Sequence, residues 1–356
     1  MKLKYHRLKP GGVPQLVALS LVLELKYHRF KPGGVFKQVQ RPGFKNPSTT
    51  RANTLQSQPM LAAELFVSPT FSLFPPLFGY ILAGIFGTII GSFLNVVIHR
   101  LPREESIVFP NSRCPSCGAA IAFYDNVPIV SYLMLRGNCR GCKKHISARY
   151  PLVELFCGLL FITVAWHDGL SAALPFDLAF AAALLALVFI DAEHMLLPNA
   201  ITYPGIVFAL IARLVLPYLT ATHHFDDLPS LAHGALSNSP IWLTSLVGGL
   251  LGALIGGGSL WLMGWTWEKL RGIEAMGLGD VKMMFMVGGY LGWRLTIITI
   301  FAGVLSGSII GILLMARAGK KDMQMLLPFG VFLGIGAVAA LLFGSHVADW
   351  YAGQFR

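Results

Sequence analysis

The sequence predicts an all-α, polytopic helical membrane protein with about eight transmembrane helices and a cytoplasmic zinc-binding loop. Three observations predict it. Of 356 residues, 54% are hydrophobic and only 13% charged, with a mean hydropathy of +0.62, a composition that soluble domains do not reach. The apolar residues gather into successive runs, most of them long enough to cross a bilayer. Between the first and second runs lies a basic polar stretch holding two Cys-x-x-Cys pairs.

The chain opens on a segment unlike the rest. Residues 1–59 carry 11 Lys or Arg and one acid, Glu24, for a net charge of +10, whereas the remaining 297 residues carry +1. The overall charge of +11 is therefore a property of this segment, and no nucleic-acid partner is expected. Residues 3–13 recur at 25–35, but two copies do not make a repeat domain. The apolar run between them, Leu16 to Leu25, is too short to span a bilayer and lacks a small-residue cleavage site. The residues through Pro59 are rich in Pro, Gln, Asn, Ser and Thr. Residues 1–76 are expected to be a disordered, dispensable basic extension, with the working protein starting near Met60. The competing reading is a basic arm on anionic lipid.

The predicted spans follow in order. The first is Leu77 to Ile98, uncharged, with Gly79, Gly84, Gly87 and Gly91 at a spacing that suits close helix packing. The second is Leu152 to Trp166 and carries Glu154; the third, Leu174 to Ile190, ends at Asp191. Ala200 to Leu219 and Ile241 to Trp265 are the fourth and fifth. The sixth, Val281 to Gly292, is short and follows Gly277-Leu278-Gly279-Asp280. Leu295 to Ala316 and Leu326 to Phe343 complete the set. Trp261, Trp265 and Trp267 read as an interfacial belt.

Loop charge sets the orientation. The stretch 99–150 carries eight Lys or Arg against Glu104, Glu105 and Asp125, which places it in the cytoplasm. Alternation then puts 167–173 and 220–240, free of Lys and Arg, outside, with Lys269, Arg271, Arg317, Lys320 and Lys321 inside. Asp191 and Asp280 both fall at the cytoplasmic ends of their spans. The same alternation places residues 1–59 outside, against their charge.

Three groups of residues carry chemistry. Asp191 and Asp280 are candidate catalytic acids, because an ionisable residue in a membrane segment is costly, about +2.5–3.5 kcal/mol for Asp near a helix centre. Two carboxylates that share a proton can supply a base to water and an acid to a carbonyl. Gly277 and Gly279 are expected to allow unusual backbone angles and close approach of another segment. The competing reading makes each Asp a helix boundary, with Asp280 as an N-cap. Cys114, Cys117, Cys139 and Cys142 have the spacing of a tetrahedral zinc site, with Gly118 and Gly141 at the tight turns. Such a site is structural, since four protein ligands leave no open position. Cys157 reads as a packing residue. Glu154 and Asn95 read as helix-packing or interhelical hydrogen-bonding residues. The group His223, His224, Asp226 and Asp227 reads as a solvated loop.

Gly91-Ser92-Phe93-Leu94-Asn95 through Pro102, the paired Cys-x-x-Cys, Arg149-Tyr150-Pro151-Leu152-Val153-Glu154-Leu155, the stretch Asp191 to Pro198 and Gly277-Leu278-Gly279-Asp280 occur in this order. In that order they resemble type IV prepilin peptidases, bifunctional leader peptidase/N-methyltransferases of bacterial inner membranes. The resemblance covers about Leu77 to the C-terminus. It implies that Asp191 and Asp280 are the aspartyl protease pair within an intramembrane peptidase domain, 168–356. It also implies that 77–167, with the tetracysteine loop 99–150, serves methylation by S-adenosylmethionine, with Glu154, Gly91 and Asn95 associated with that reaction. The implied partners are prepilins or pseudopilins with a short basic leader and a hydrophobic N-terminal helix, met within membrane lipid. The loop Thr220–Ser239 is longer than the family leads one to expect, and residues 1–59 match nothing in it. The alternatives are a presenilin-like intramembrane aspartyl protease without methyltransferase activity, and a non-enzymatic membrane assembly factor or transporter.

Overall fold

The computed structural model describes residues 76–109, 111–114, 116–219, 239–272, 276–318 and 327–354. The basic extension with its repeat and the His223 to Asp227 group lie outside the described residues. Helices dominate: α1 (Pro76–Arg100), a short α2 (Val130–Met134), α3 (Arg149–Asp168), α4 (Leu174–His194), α5 (Asn199–Leu219), α6 (Ile241–Ala253), α7 (Ser259–Arg271), α8 (Leu278–Leu291), α9 (Trp293–Ala318) and α10 (Phe329–Gly353). One π-helical turn, Leu254–Gly258, joins α6 to α7. No β-strand occurs among the described residues.

Among the described residues, seven stretches are long and apolar enough to cross a membrane: α1, α3, α4, α5, the continuous run Ile241–Arg271, α9 and α10. This is a multi-pass membrane protein. The short second span lengthens to the 20 residues of α3, because Arg149, Tyr150 and Pro151 join its first turn and His167 and Asp168 its last. The sixth stays short. At 14 residues, α8 is about 21 Å long against an apolar thickness of about 30 Å.

Small residues set the helix pairing, because lipid tails are as apolar as leucine and only close packing favours helix on helix. Gly84, Gly87 and Gly91 turn toward α3 as their spacing predicts. A Cβ on Gly87 would lie 2.8 Å from the Cys157 carbonyl oxygen, and one on Gly91 2.7 Å from the Glu154 Cα. On the other side, α8 packs among α5, α6, α9 and α10. Gly252 of α6 and Gly288 of α8 meet backbone to backbone, so that a Cβ on either would collide with the other's carbonyl.

The core falls in two clusters that share α4. Phe180, Leu184 and Leu187 pack with Met283, Met284 and Val287 of α8. Ala181, Ala186 and Ile190 pack with Ile98, Val153 and Phe161 of α1 and α3. At the end of α8 away from Asp280, the Tyr290 hydroxyl donates to Asp177 Oδ1 at 2.7 Å, and its ring stacks on Phe180 at 4.1 Å. Arg213 of α5, fully buried, donates from Nε to the Gly289 carbonyl at 3.2 Å. Its guanidinium therefore sits at the C-terminal end of α8, where the helix dipole favours a cation.

Candidate active site

Asp191 lies one turn before the end of α4 and is only 5% exposed. Asp280 lies in the first turn of α8, where the dipole favours a carboxylate. The two residues lie 89 positions apart in the chain, and the fold brings them to one place beside Gly330, in the first turn of α10. A Cβ on Gly330 would stand 2.8 Å from Asp191 Oδ2 and 2.9 Å from Asp280 Oδ1. The two carboxylate oxygens therefore flank a single bare Cα. The next amide, Val331 N–H, donates to Asp191 Oδ2 at 2.9 Å, which fixes one of the two acids against the start of α10.

The motif around Asp280 works differently from its expected role. Gly277 is the N-cap, in ordinary extended backbone at φ −70°, ψ 136°, so no unusual angle is needed there. Asp280 is not the cap; it sits inside the helix, its N–H returning to the Gly277 carbonyl at 3.2 Å. Gly279 does allow close approach, since a Cβ would meet Leu197 Cβ at 3.0 Å. That contact draws α8 against the loop that leaves α4, two turns of chain beyond Asp191. Lys282 Nζ donates across to Asn199 Oδ1 at 2.8 Å and fastens the same junction.

The four motif cysteines converge: their Sγ atoms all lie within 4.8 Å of one another. Each pair occupies a turn closed by an isolated antiparallel bridge, Arg113 with Ala120 and Asn138 with His145. The turns match bond for bond, with Gly118 N–H to Cys114 O at 2.9 Å and Lys143 N–H to Cys139 O at 3.0 Å. Gly118 takes φ +70°, as the turn requires. In the second turn that position belongs to Lys143, at φ +58°, and not to Gly141. Backbone N–H groups of Cys117 and Ser116 aimed at Cys114 bring its thiol down to about 6. Although the Ala119 N–H acts the other way, the neighbouring sulfurs of Cys114 and Cys142 push Cys117 up to about 11. Four thiols converging within 4.8 Å are the donor set a tetrahedral divalent cation takes. These residues could hold a metal ion.

Asp125, between the two cysteine pairs, takes a bidentate bond from Arg140, Nε to Oδ2 at 2.8 Å and Nη2 to Oδ1 at 2.6 Å. The guanidinium holds the Asp125 carboxyl below its usual range. Further along, Arg149 at the start of α3 pairs with Glu193, two residues past Asp191. The cysteine region, remote in sequence from the acids, is thereby tied to the helix end that carries one of them.

Between α1, the start of α3 and the cysteine region lies a cavity of about 440 Å³, lined in part by Asn95, His99, Tyr124, Tyr132, Cys139 and Glu154. Asn95 Nδ2 donates to the Tyr150 carbonyl at 2.9 Å, the interhelical bond its position suggests. Glu154 bonds both a neighbouring span, through Ser92 of α1, and the loop before α3. Its Oε2 accepts the Ile129 N–H at 2.7 Å, and the Ser92 hydroxyl also reaches the carboxylate. Gly91 brings α1 up to Glu154 without entering the cavity. Cys157 is fully buried in packing.

Gly330, Arg213 and Asp177 were not marked by the motifs. Arg213 and Asp177 carried a signal, since each is an ionisable residue inside a predicted span. Gly330 carried only a weak one, a Pro-Phe-Gly step at the head of an apolar segment already rich in glycine.

Residues 85–168 match the family model described as bacterial peptidase A24 N-terminal domain, and residues 178–312 match the type IV leader peptidase family. The chain is 36% identical to the prepilin leader peptidase/N-methyltransferase of Stutzerimonas stutzeri over 299 residues, 78% of this chain and 94% of the relative. The protein of that name in Pseudomonas aeruginosa is 36% identical over 74% of this chain and 90% of the relative. That in Dichelobacter nodosus is 35% identical over 82% and 98%. No solved structure matches the chain. Two family models in tandem and relatives aligned over nearly their whole length show that the chain belongs to the type IV leader peptidase family.

Proposed function

We propose that this chain is a membrane-embedded aspartyl endopeptidase that removes the leader of type IV prepilins or pseudopilins and N-methylates the new N-terminal residue with S-adenosylmethionine. The observation that carries the reading is the convergence of Asp191 and Asp280 on Gly330. In the peptidase step, one carboxylate takes a proton from water as the water oxygen attacks the scissile carbonyl. The other gives a proton to the carbonyl oxygen, and collapse of the tetrahedral species releases the amine, which takes a proton in turn. Val331 N–H holds one Asp191 oxygen still for this exchange. The bare Cα of Gly330 leaves room for both carboxylates against the start of α10.

The division of labour follows the chain. Residues 168–356 form the peptidase, and 77–167, with the loop 99–150, serve methylation. In this reading the tetracysteine group holds zinc in a structural role, giving the loop a fixed shape over the cavity. That cavity, within the roughly 300–1,000 Å³ of small-molecule sites, takes S-adenosylmethionine, which supplies the methyl group. Glu154 and Asn95 line it, and Gly91 packs behind it. The protein resides in the bacterial inner membrane with the acids at the cytoplasmic face. There a prepilin presents its scissile bond, its basic leader in the cytoplasm and its hydrophobic helix in the lipid. A presenilin-like protease without methyl transfer, or a non-enzymatic assembly factor, leaves the cysteine turns and the cavity without a use.

The test is mass spectrometry of a prepilin co-expressed with this chain. Loss of the leader together with a methyl increment on the new N-terminus is expected. An intact leader in cells with abundant, inserted protein would overturn the peptidase reading, and a cleaved but unmethylated client would overturn the methylation reading.

A further inference from the structure

The cavity beside the cysteine region contains an unmatched pattern of acceptors. Asn95 is 3% exposed, and its amide nitrogen is committed to the Tyr150 carbonyl. Its Oδ1 has no hydrogen-bond partner among the described residues. An acceptor buried without a donor costs about 1–3 kcal/mol, so such a group is kept where a ligand supplies the donor. Glu154, 8% exposed, lines the same cavity. A carboxylate offers about four lone-pair sites. The bonds found here, from the Ile129 N–H and Ser92, leave it capacity for another donor. A neutral acceptor and a carboxylate that share a cavity and lack donors select for a ligand that brings N–H groups and positive charge.

Ile129 sharpens the point. It is a β-branched residue at φ +60°, ψ −50°, a conformation that costs such residues on the order of 1–3 kcal/mol. In that conformation its N–H donates to Glu154 Oε2 at 2.7 Å. The strained residue thus fixes the Glu154 carboxylate against the wall of the cavity.

We propose that Asn95 Oδ1 and Glu154 form a binding site for a primary ammonium, the α-amine newly exposed at the client's N-terminus. The identification of that ligand rests on the methylation reading above. The chain leading to this site begins at the peptidase acids: Tyr150, whose carbonyl holds Asn95, follows Arg149, which pairs with Glu193 just past Asp191. Glu154 draws in the ammonium by charge and takes a proton from it. The freed lone pair then forms the nitrogen–carbon bond to the donor methyl as the sulfur–carbon bond breaks, its electron pair remaining on sulfur. Asn95 Oδ1 accepts a remaining N–H and sets the direction of the lone pair.

The test is binding and needs no turnover. A fluorescent peptide with the mature client's N-terminal sequence and a free α-amine is titrated into the detergent-solubilised protein without methyl donor. Its N-acetylated twin is titrated alongside. The wild type is expected to prefer the free amine by about ten- to a hundredfold, the range of a charge-assisted hydrogen bond. Glu154→Gln and Asn95→Leu should each lose most of that preference while binding the acetylated peptide as before. Equal binding of the two peptides by the wild type overturns the proposal, even if neither variant folds. So does an undiminished preference in folded variants, which would assign the discrimination to the bulk of the acetyl group. A wild type that prefers the amine yet never methylates a client keeps the ammonium site and removes the methylation reading, so the two failures are distinct.

Discussion

Replacing Gly330 with Ala tests the peptidase site at the point where the structure is most exacting. The added methyl carbon would stand 2.8 Å from Asp191 Oδ2, 3.1 Å from Asp191 Cγ and 2.9 Å from Asp280 Oδ1. Ordinary contact begins near 3.4 Å, so each carboxylate must withdraw by roughly half an ångström. Asp191 cannot withdraw freely, because Val331 N–H holds the same oxygen. Misplacement of a catalytic group by about 1 Å costs on the order of a hundredfold in rate. A half-ångström displacement shared by two such groups is expected to lower kcat by about ten- to a hundredfold, or about 1.4–2.8 kcal/mol in the barrier. The crowding costs stability, but the backbone offsets part of that cost. Gly330 is not among the residues at positive φ, and Ala is favoured over Gly in a helix by about 1 kcal/mol. The assay is a time course of leader removal by purified protein in detergent or proteoliposomes, at matched protein amounts. Cleavage at the wild-type rate would refute the placement of both acids at this glycine.

Three further outcomes are expected. Asp191→Asn and Asp280→Asn should each abolish leader removal at normal abundance, because neither amide can exchange a proton with the attacking water; the check is the mass of a co-expressed client. Elemental analysis should find one zinc per chain, and Cys117→Ser should reduce the metal and damage methylation more than cleavage. Arg213→Met should lower the stability of the solubilised protein by about 2 kcal/mol through loss of a charged hydrogen bond to the end of α8, measured as a lower thermal midpoint.

The spans were legible because a bilayer imposes length and polarity on the chain, and both are written locally. The extra residues of α3 and α7 were not legible, since their outer turns are held by contacts and not by hydropathy: Arg149 by Glu193 and the Tyr150 ring, Arg271 by the Trp267 ring. The acids were legible because a charge inside a span is conspicuous. Their companion Gly330 was not, since its role is a meeting of three helices and glycine is common throughout such segments. The second cysteine turn shows the same limit at small scale. Composition pointed to Gly141, but the backbone places the left-handed residue one step past the second cysteine, and Lys143 occupies that step. Asn95 and Glu154 read as packing residues for a like reason: only the fold reveals that one oxygen lacks a donor and that the other side chain lines a cavity.

The short α8 explains why the centre of the fold is arranged as it is. A helix that ends inside the apolar layer leaves carbonyl groups without partners, at several kilocalories per mole each in lipid. This one ends among protein: Met283, Met286, Val287, Gly288, Gly289, Tyr290 and Leu291 are all buried. Arg213 satisfies the Gly289 carbonyl, and the Gly292 N–H returns to Gly288 at 2.9 Å. A buried guanidinium is itself expensive, and the dipole of α8 offsets part of that cost. Tyr290 pins the same end to Asp177 of α4, the helix that also carries Asp191. With its far end capped, pinned and enclosed, α8 is fastened to α4 at the end away from the acids, which opposes sliding of the helix that carries Asp280 past the helix that carries Asp191. A peptidase whose two acids must stay close enough to share one proton needs such a constraint, because the split in their acidities depends on their separation.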